Sequence, residues 1–170
     1  IFSTLRSSGM RVPLLLLSAT VPRTAESLLN AHVGSLLRVI RASTVRANIS
    51  YRVVRVAGEG NSEFGDVLQA VQYSVQKEIG MLGRSERVII YCVSRKEAER
   101  VAENLSSSLG PSLISTYHGG MEALERSRAE SLWCTEGSSV RVMVATSAFG
   151  SGIDFPGVRM VLHLGFSRSL

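Results

Sequence analysis

Four short segments carry side chains and glycines of the kind that hold phosphates and sugars. The richest lies in residues 140–156, VRVMVATSAFGSGIDFP, where an apolar run ends at Ala145 and is followed by Thr146, Ser147, Gly150, Gly152 and Asp154. Hydroxyls and small residues directly after a buried strand let a backbone approach a phosphate, and a carboxylate there can accept from a sugar hydroxyl. The same composition also suits an ordinary strand, turn and helix whose glycines satisfy turn geometry alone. The other three segments are Ser18-Ala19-Thr20, Ser94-Arg95 and His118-Gly119-Gly120, each again behind an apolar run.

Elements must exist to position these groups, and hydropathy periods place them. Residues 14–17 are four leucines, the pattern of a parallel strand covered on both faces. Pro22 suits the first turn of a helix reaching about Asn30, with Ala25, Leu28 and Leu29 inward. Residues 36–40 read as a second short strand, 41–48 as a polar, basic connection, and 49–56 as an alternating strand. Phe64, Val67, Leu68, Val71, Val75, Ile79 and Leu82 recur in steps of three and four, predicting a long amphipathic helix over 62–82. A strand is expected at 88–93. Ser94 and Glu97 then form an S-x-x-E capping box, opening a helix that Gly110-Pro111 ends. Strands at 113–117, 140–145 and 158–164 and a helix at about 122–134 complete the reading. Thr146 and Ser147 are expected to open a further helix.

From residue 49 onward strand and helix alternate, which predicts an α/β fold: a parallel sheet with helices on both faces. Ligands of such sheets bind beyond the carboxyl ends of the strands, so all four polar segments are expected on one edge. The 170-residue length suits one domain, or one domain and part of another, and 45% hydrophobic content allows a sizeable core. The net charge of +5 comes far more from Arg than from Lys and favours anionic partners, nucleic acid first. Cys92 and Cys134 have no CxxC neighbour, which argues for a reducing compartment and against a zinc site or disulfide framework. Arg6 and Arg11 ahead of residues 12–17 imitate a secretory leader. Pro13 and the shortness of the run favour a buried strand, and no stretch reaches the ~18 apolar residues of a membrane span.

With the four segments in this order, the chain resembles a RecQ-type superfamily 2 DNA helicase. Ser18-Ala19-Thr20 is similar to motif III, and VIIYCVSR ending at Arg95 resembles motif IV. Tyr117-His118-Gly119-Gly120-Met121, with Arg126 beyond it, resembles the segment that follows motif IV. ATSAFGSGID, residues 145–154, resembles motif V in its RecQ form, which Phe149 makes specific. Arg46-Ala47-Asn48-Ile49 is similar to the family's linker, with Ala47 where proline is usual.

The resemblance implies two RecA-like domains with ATP in the cleft and a nucleic acid strand across both. Residues 1–41 would close the first domain, 42–48 would be the linker, and 49–170 would form the second domain as far as a point before motif VI. It further implies that Gly150, Gly152 and Asp154 face the nucleotide, Asp154 towards the ribose. Ser94, Arg95, His118, Gly119, Gly120, Thr146 and Ser147 would face nucleic acid, while Ser18 and Thr20 would couple nucleotide state to the domain interface. Each has a plainer alternative: turn glycines, helix caps, a structural histidine, a strand-end hydroxyl pair. Phe149 and Trp133 read as packing residues. The chain carries neither G-x-x-x-x-G-K-[ST] nor an acidic motif II, so ATP and Mg²⁺ are expected only in the complete two-domain protein, and no hydrolysis by this chain alone. The expected partner is DNA, as single strand and duplex junction, with no membrane. The expected location is the nucleus in a eukaryote and the cytoplasm otherwise. The competing expectation is a non-catalytic module that binds nucleic acid or a protein. A Rossmann-type enzyme would need an early G-x-G-x-x-G, which is missing.

Overall fold

The structure is a computed structural model that describes residues 15–18, 21–33, 38–43, 45–56, 63–150 and 153–165. The chain divides into two units, Ile1–Val53 and Val54–Leu170. In the first, extended Pro22 leads into a 3₁₀ turn, Arg23–Ala25, and then helix α1, Glu26–Val33, close to where Pro22 predicts a helix. Arg41 binds the Glu26 carboxylate and donates to the Val21 carbonyl at 3.0 Å, tying the end of this segment to the helix start.

The strands expected at 14–17 and 36–40 do not form in their described parts, nor does the one at 49–56. Leu15, Leu17, Tyr51 and Val53 are instead largely exposed. A strand needs neighbours for its N–H and C=O groups, and the described residues of the first unit include no strand to pair with. Residues 14 and 36–37 lie outside the described residues, as does Thr20.

The second unit meets the expectation of a parallel α/β sheet. Helix α2, Glu63–Ile79, precedes β1, Arg87–Tyr91; α3, Arg95–Leu109, leads through a 3₁₀ turn to β2, Ile114–Tyr117. Helix α4, Ala123–Cys134, follows, then β3, Val142–Ala145, and β4, Val158–His163. The order is β2-β3-β1-β4 and every pairing is parallel, with Tyr91 aligned to Ala145 on one side and His163 on the other.

Alternation along the central strands sorts the core into two layers. Val88 and Ile90 of β1 and Val142 and Val144 of β3 meet Val71 and Val75 of α2 and Ala98, Val101 and Leu105 of α3. Ile89, Met143 and Ala145 point the other way, against Ala129 and Trp133 of α4 and Phe149. Helices therefore cover both faces. Cys92 belongs to the first layer, and burial, with Glu97 nearby, pushes its thiol up to about 12, so it stays a neutral packing group.

Arg87 has no counterpart in the sequence reading. Its side chain is fully buried and donates to the carbonyls of Trp133 and Thr135 at 3.0 Å and of Arg84 and Glu86 at 3.1 Å. Two of these lie at the C-terminal end of α4, where unsatisfied carbonyls and the helix dipole favour a cation. Burial, and Arg141 close by, lower its pKa from the usual arginine value.

Candidate functional site

A parallel sheet brings every strand's carboxyl end to one edge, and here the backbone ladder runs past the strands to hold the loops there. Cys92 N–H donates to the Ala145 carbonyl at 2.7 Å, Thr146 N–H to Tyr117 at 3.1 Å, and Leu164 N–H to Tyr91 at 2.9 Å. The segments after β2, β3, β1 and β4 thus leave the sheet side by side in that order.

After β1, Ser94 is extended and its Oγ accepts from Glu97 N–H at 3.2 Å, the cap its sequence predicts. The reciprocal arm differs: the Glu97 carboxylate accepts from Val93 N–H at 2.8 Å, one residue before the cap. Ser94, Arg95 and Lys96 are all exposed at this helix start. The Arg95 guanidinium lies on the loop after β2. A Cβ built on Gly120 would come within 2.9 Å of Arg95 Nη1, and one on Gly119 within 3.9 Å of Nη2. Both glycines are exposed. Two separate sequence motifs therefore converge into one surface: a helix N-terminus, a guanidinium and two bare peptide units.

His118 sits differently from its neighbours. Its ring is buried, with Nδ1 accepting from Gly120 N–H at 3.2 Å and Nε2 3.2 Å from Glu99 Oε1. That pattern suits a ring protonated on Nε2 and sets the bend of the Gly119-Gly120 loop. Arg126 fixes the far end of the same loop by donating to the Met121 carbonyl at 3.0 Å. Glu122 and Glu125 form the capping box of α4, without the Ser or Thr that makes such boxes visible in sequence.

After β3, Thr146 and Ser147 open a turn closed by Phe149 N–H on the Thr146 carbonyl at 3.0 Å. No helix follows among the described residues, which corrects that expectation. The Phe149 ring takes the chain downward instead: it is 2% exposed, 5.0 Å from Tyr117 and edge-on to Trp133 at 5.4 Å. Burying this ring pulls the chain back to the sheet before a helical turn can be completed. Gly150 then adopts φ +111°, a conformation glycine supplies without strain. Ser147 is exposed and Thr146 half-buried. Beyond, Ile153 and Phe155 turn inward, Phe155 packing 5.1 Å from Trp133, and the alternation leaves Asp154 exposed. Gly152 lies outside the described residues. Ser18, in the first unit, is exposed. Among the described residues no three His, Cys, Asp or Glu side chains converge to hold a metal ion.

Sequence reasoning missed Tyr91. Its hydroxyl donates to the Phe149 carbonyl at 3.1 Å, and burial raises its pKa, keeping it a donor. A tyrosine closing an apolar strand gives no local sign of that reach.

A four-stranded parallel sheet with these loops on its carboxyl edge is the architecture of a RecA-like helicase domain. Domain 2 of the DEAD-box helicase Mss116p, solved bound to an RNA duplex, shares the fold: TM-score 0.53 at 23% identity over 61% of this chain and 40% of that one. Residues 70–170 match the helicase conserved C-terminal domain, and the chain belongs to that family, in its RecQ-type superfamily 2 branch. ATP-dependent DNA helicase RecQ of Pasteurella multocida is 32% identical over 98% of the chain and 24% of its own length. ATP-dependent DNA helicase Q1 of Mus musculus is 32% identical over 81% of the chain and 19% of its own length. The chain thus spans about a quarter or less of these relatives.

Proposed function

We propose that this chain supplies the second motor domain of an ATP-dependent DNA helicase, and that its loop edge carries one strand of nucleic acid. The observation that supports this best is the packing of Arg95 on Gly119-Gly120 beside the capped start of α3. A phosphate there would meet free helix N–H groups, a guanidinium and glycines that let it come close. Ser94 and Arg95 would hold one phosphate, Gly119 and Gly120 its neighbour, and Thr146 and Ser147 a third. His118 serves by shaping the glycine loop.

The residues present fit one flank of a nucleotide. Asp154 is an exposed carboxylate suited to ribose hydroxyls, and Gly150 is exposed too; Gly152 belongs with them by sequence. When bound, ATP with Mg²⁺ would supply the free energy for closure of two domains. Ser18 and Thr20 would couple that state to the domain interface. The phosphate loop and the metal carboxylates must come from residues outside this chain's sequence.

Titration of a labelled single-stranded oligonucleotide at two salt concentrations tests the nucleic-acid part. Steeply salt-dependent binding is expected, with Arg95→Ala weakening it about tenfold and lowering the salt slope by about one charge. No binding at low salt, or an R95A variant that binds like wild type, would overturn it. Joining the chain to a first motor domain that carries a phosphate loop should give DNA-stimulated ATP hydrolysis, which Asp154→Asn should reduce. A joined protein that binds both ligands yet never hydrolyses would leave only the non-catalytic binding module.

A further inference from the structure

Tyr91 makes three different contacts with two loops of the edge. Its hydroxyl donates to the Phe149 carbonyl at 3.1 Å. Its own carbonyl accepts from Leu164 N–H at 2.9 Å, and its ring stacks on His163 with centroids 5.1 Å apart and planes 21° from parallel. The first contact fixes the turn after β3; the other two fix the end of β4. Gly150 belongs to the same arrangement, because a Cβ there would stand 2.6 Å from the Tyr91 hydroxyl oxygen. Glycine is thus required twice over, for its φ of +111° and for the room the hydroxyl occupies. Phe149 is already anchored by Tyr117 and Trp133, so the Tyr91 bond orients a peptide whose ring cannot move away.

We infer that Tyr91 is a positioning residue of this edge, holding the Phe149–Gly150 peptide and the end of β4 in one fixed relation. Its hydroxyl holds the turn that Thr146 and Ser147 open, from the Phe149 carbonyl at the turn's far side. The geometry stands by itself; the consequence for binding rests on the nucleic-acid reading above.

The test is Tyr91→Phe in the full chain, which removes one oxygen and leaves the ring to pack and stack. Hydrogen exchange at the Phe149 amide, whose own bond to the Thr146 carbonyl closes the turn that Tyr91 holds, should quicken by about fivefold as opening of the turn becomes easier by one neutral hydrogen bond, with little change in Tm. Affinity for the labelled single strand should fall by a similar factor of about five, with the salt slope unchanged because no phosphate contact is lost. A cycle with Gly150→Ala separates positioning from general packing. Once the alanine has displaced the hydroxyl, removing that oxygen should cost nothing more, so Y91F/G150A should bind no more weakly than G150A alone. Y91F with wild-type exchange and binding, or additive effects in the cycle, would overturn the inference. If the wild-type chain binds no strand at low salt, the nucleic-acid reading falls and takes the binding consequence with it, while exchange still decides the hydroxyl's hold on the turn. If it binds but Y91F exchanges like wild type, only the positioning role falls.

Discussion

Arg87 shows how much one side chain can carry when it is buried without a carboxylate. Four carbonyls from two parts of the chain converge on its guanidinium, and its Cζ lies 5.4 Å from the centroid of the Phe155 ring. An aliphatic replacement would take this donor from the buried Trp133 carbonyl and from that of Arg84, while the Glu86 and Thr135 carbonyls keep Arg141 and Ser138 N–H as donors. Desolvation of polar groups that lose their partner is what makes such losses large. Arg87→Met is therefore expected to lower the unfolding free energy of the second unit by about 3 kcal/mol, measured by urea denaturation. Arg87→Lys should recover part of the loss, since an ammonium keeps the charge at the end of α4 but cannot span the same carbonyls. Equal stability of wild type and R87M would show that the carbonyls find other partners. Nothing in the local sequence announces this role: Arg-Ser-Glu-Arg, residues 84–87, reads as a solvated approach to a strand. His118 gives the same lesson at the edge, where the sequence pattern marks a loop but not that the ring turns inward to bend it.

Helix α3 joins the two roles at the scale of elements, because one face fills the core and one end meets the glycine loop. Ala98, Val101, Ala102 and Leu105 are buried, while Ser94 and Arg95 stay in solvent. Ser94→Ala removes an N-cap and should cost about 1 kcal/mol of stability, read from the urea midpoint. No measurable change would mean that the Glu97 bond to Val93 N–H carries the cap unaided. Elements of this kind are legible because pattern, cap and burial agree locally. Accordingly β1 to β4, α2, α3 and α4 form where the periods place them, within a few residues. The strands expected at 14–17 and 49–56 were not legible for the opposite reason. Their apolar patterns match strands, but a strand is completed by its neighbours, and pairing is not written in the segment itself. The turn after β3 likewise depends on Phe149 finding Tyr117 and Trp133, residues 32 and 16 positions earlier in the chain, by subtraction of their numbers.

The second unit as a whole is polar in design: its carboxyl edge is left open and its opposite edge is stapled by its own charges. At that foot, Glu86 accepts from Gly83 N–H at 2.7 Å and pairs with Arg159 of β4, while Arg141 before β3 donates to the Glu86 carbonyl at 2.8 Å. Three strand entries are thus gathered around one residue. The Gly83 N–H bond, and after it Arg159, hold the Glu86 carboxyl below the usual carboxylate range. The sign of the pH dependence follows directly. A carboxylate more acidic in the folded than in the unfolded chain contributes fully above the unfolded value of about 4.3, and its contribution is lost as pH falls through the lower folded value. Glu86→Gln should therefore lower Tm at pH 7, and its gap from wild type should close as the solution is acidified below the ordinary glutamate range. Melting both proteins across pH 2 to 7 at one ionic strength decides the matter, since salt would screen the Arg159 pair independently of protonation. A gap that stays constant with pH would mean that Glu86 holds the foot through its shape and backbone bonds, and that its charge contributes nothing to gathering the strands.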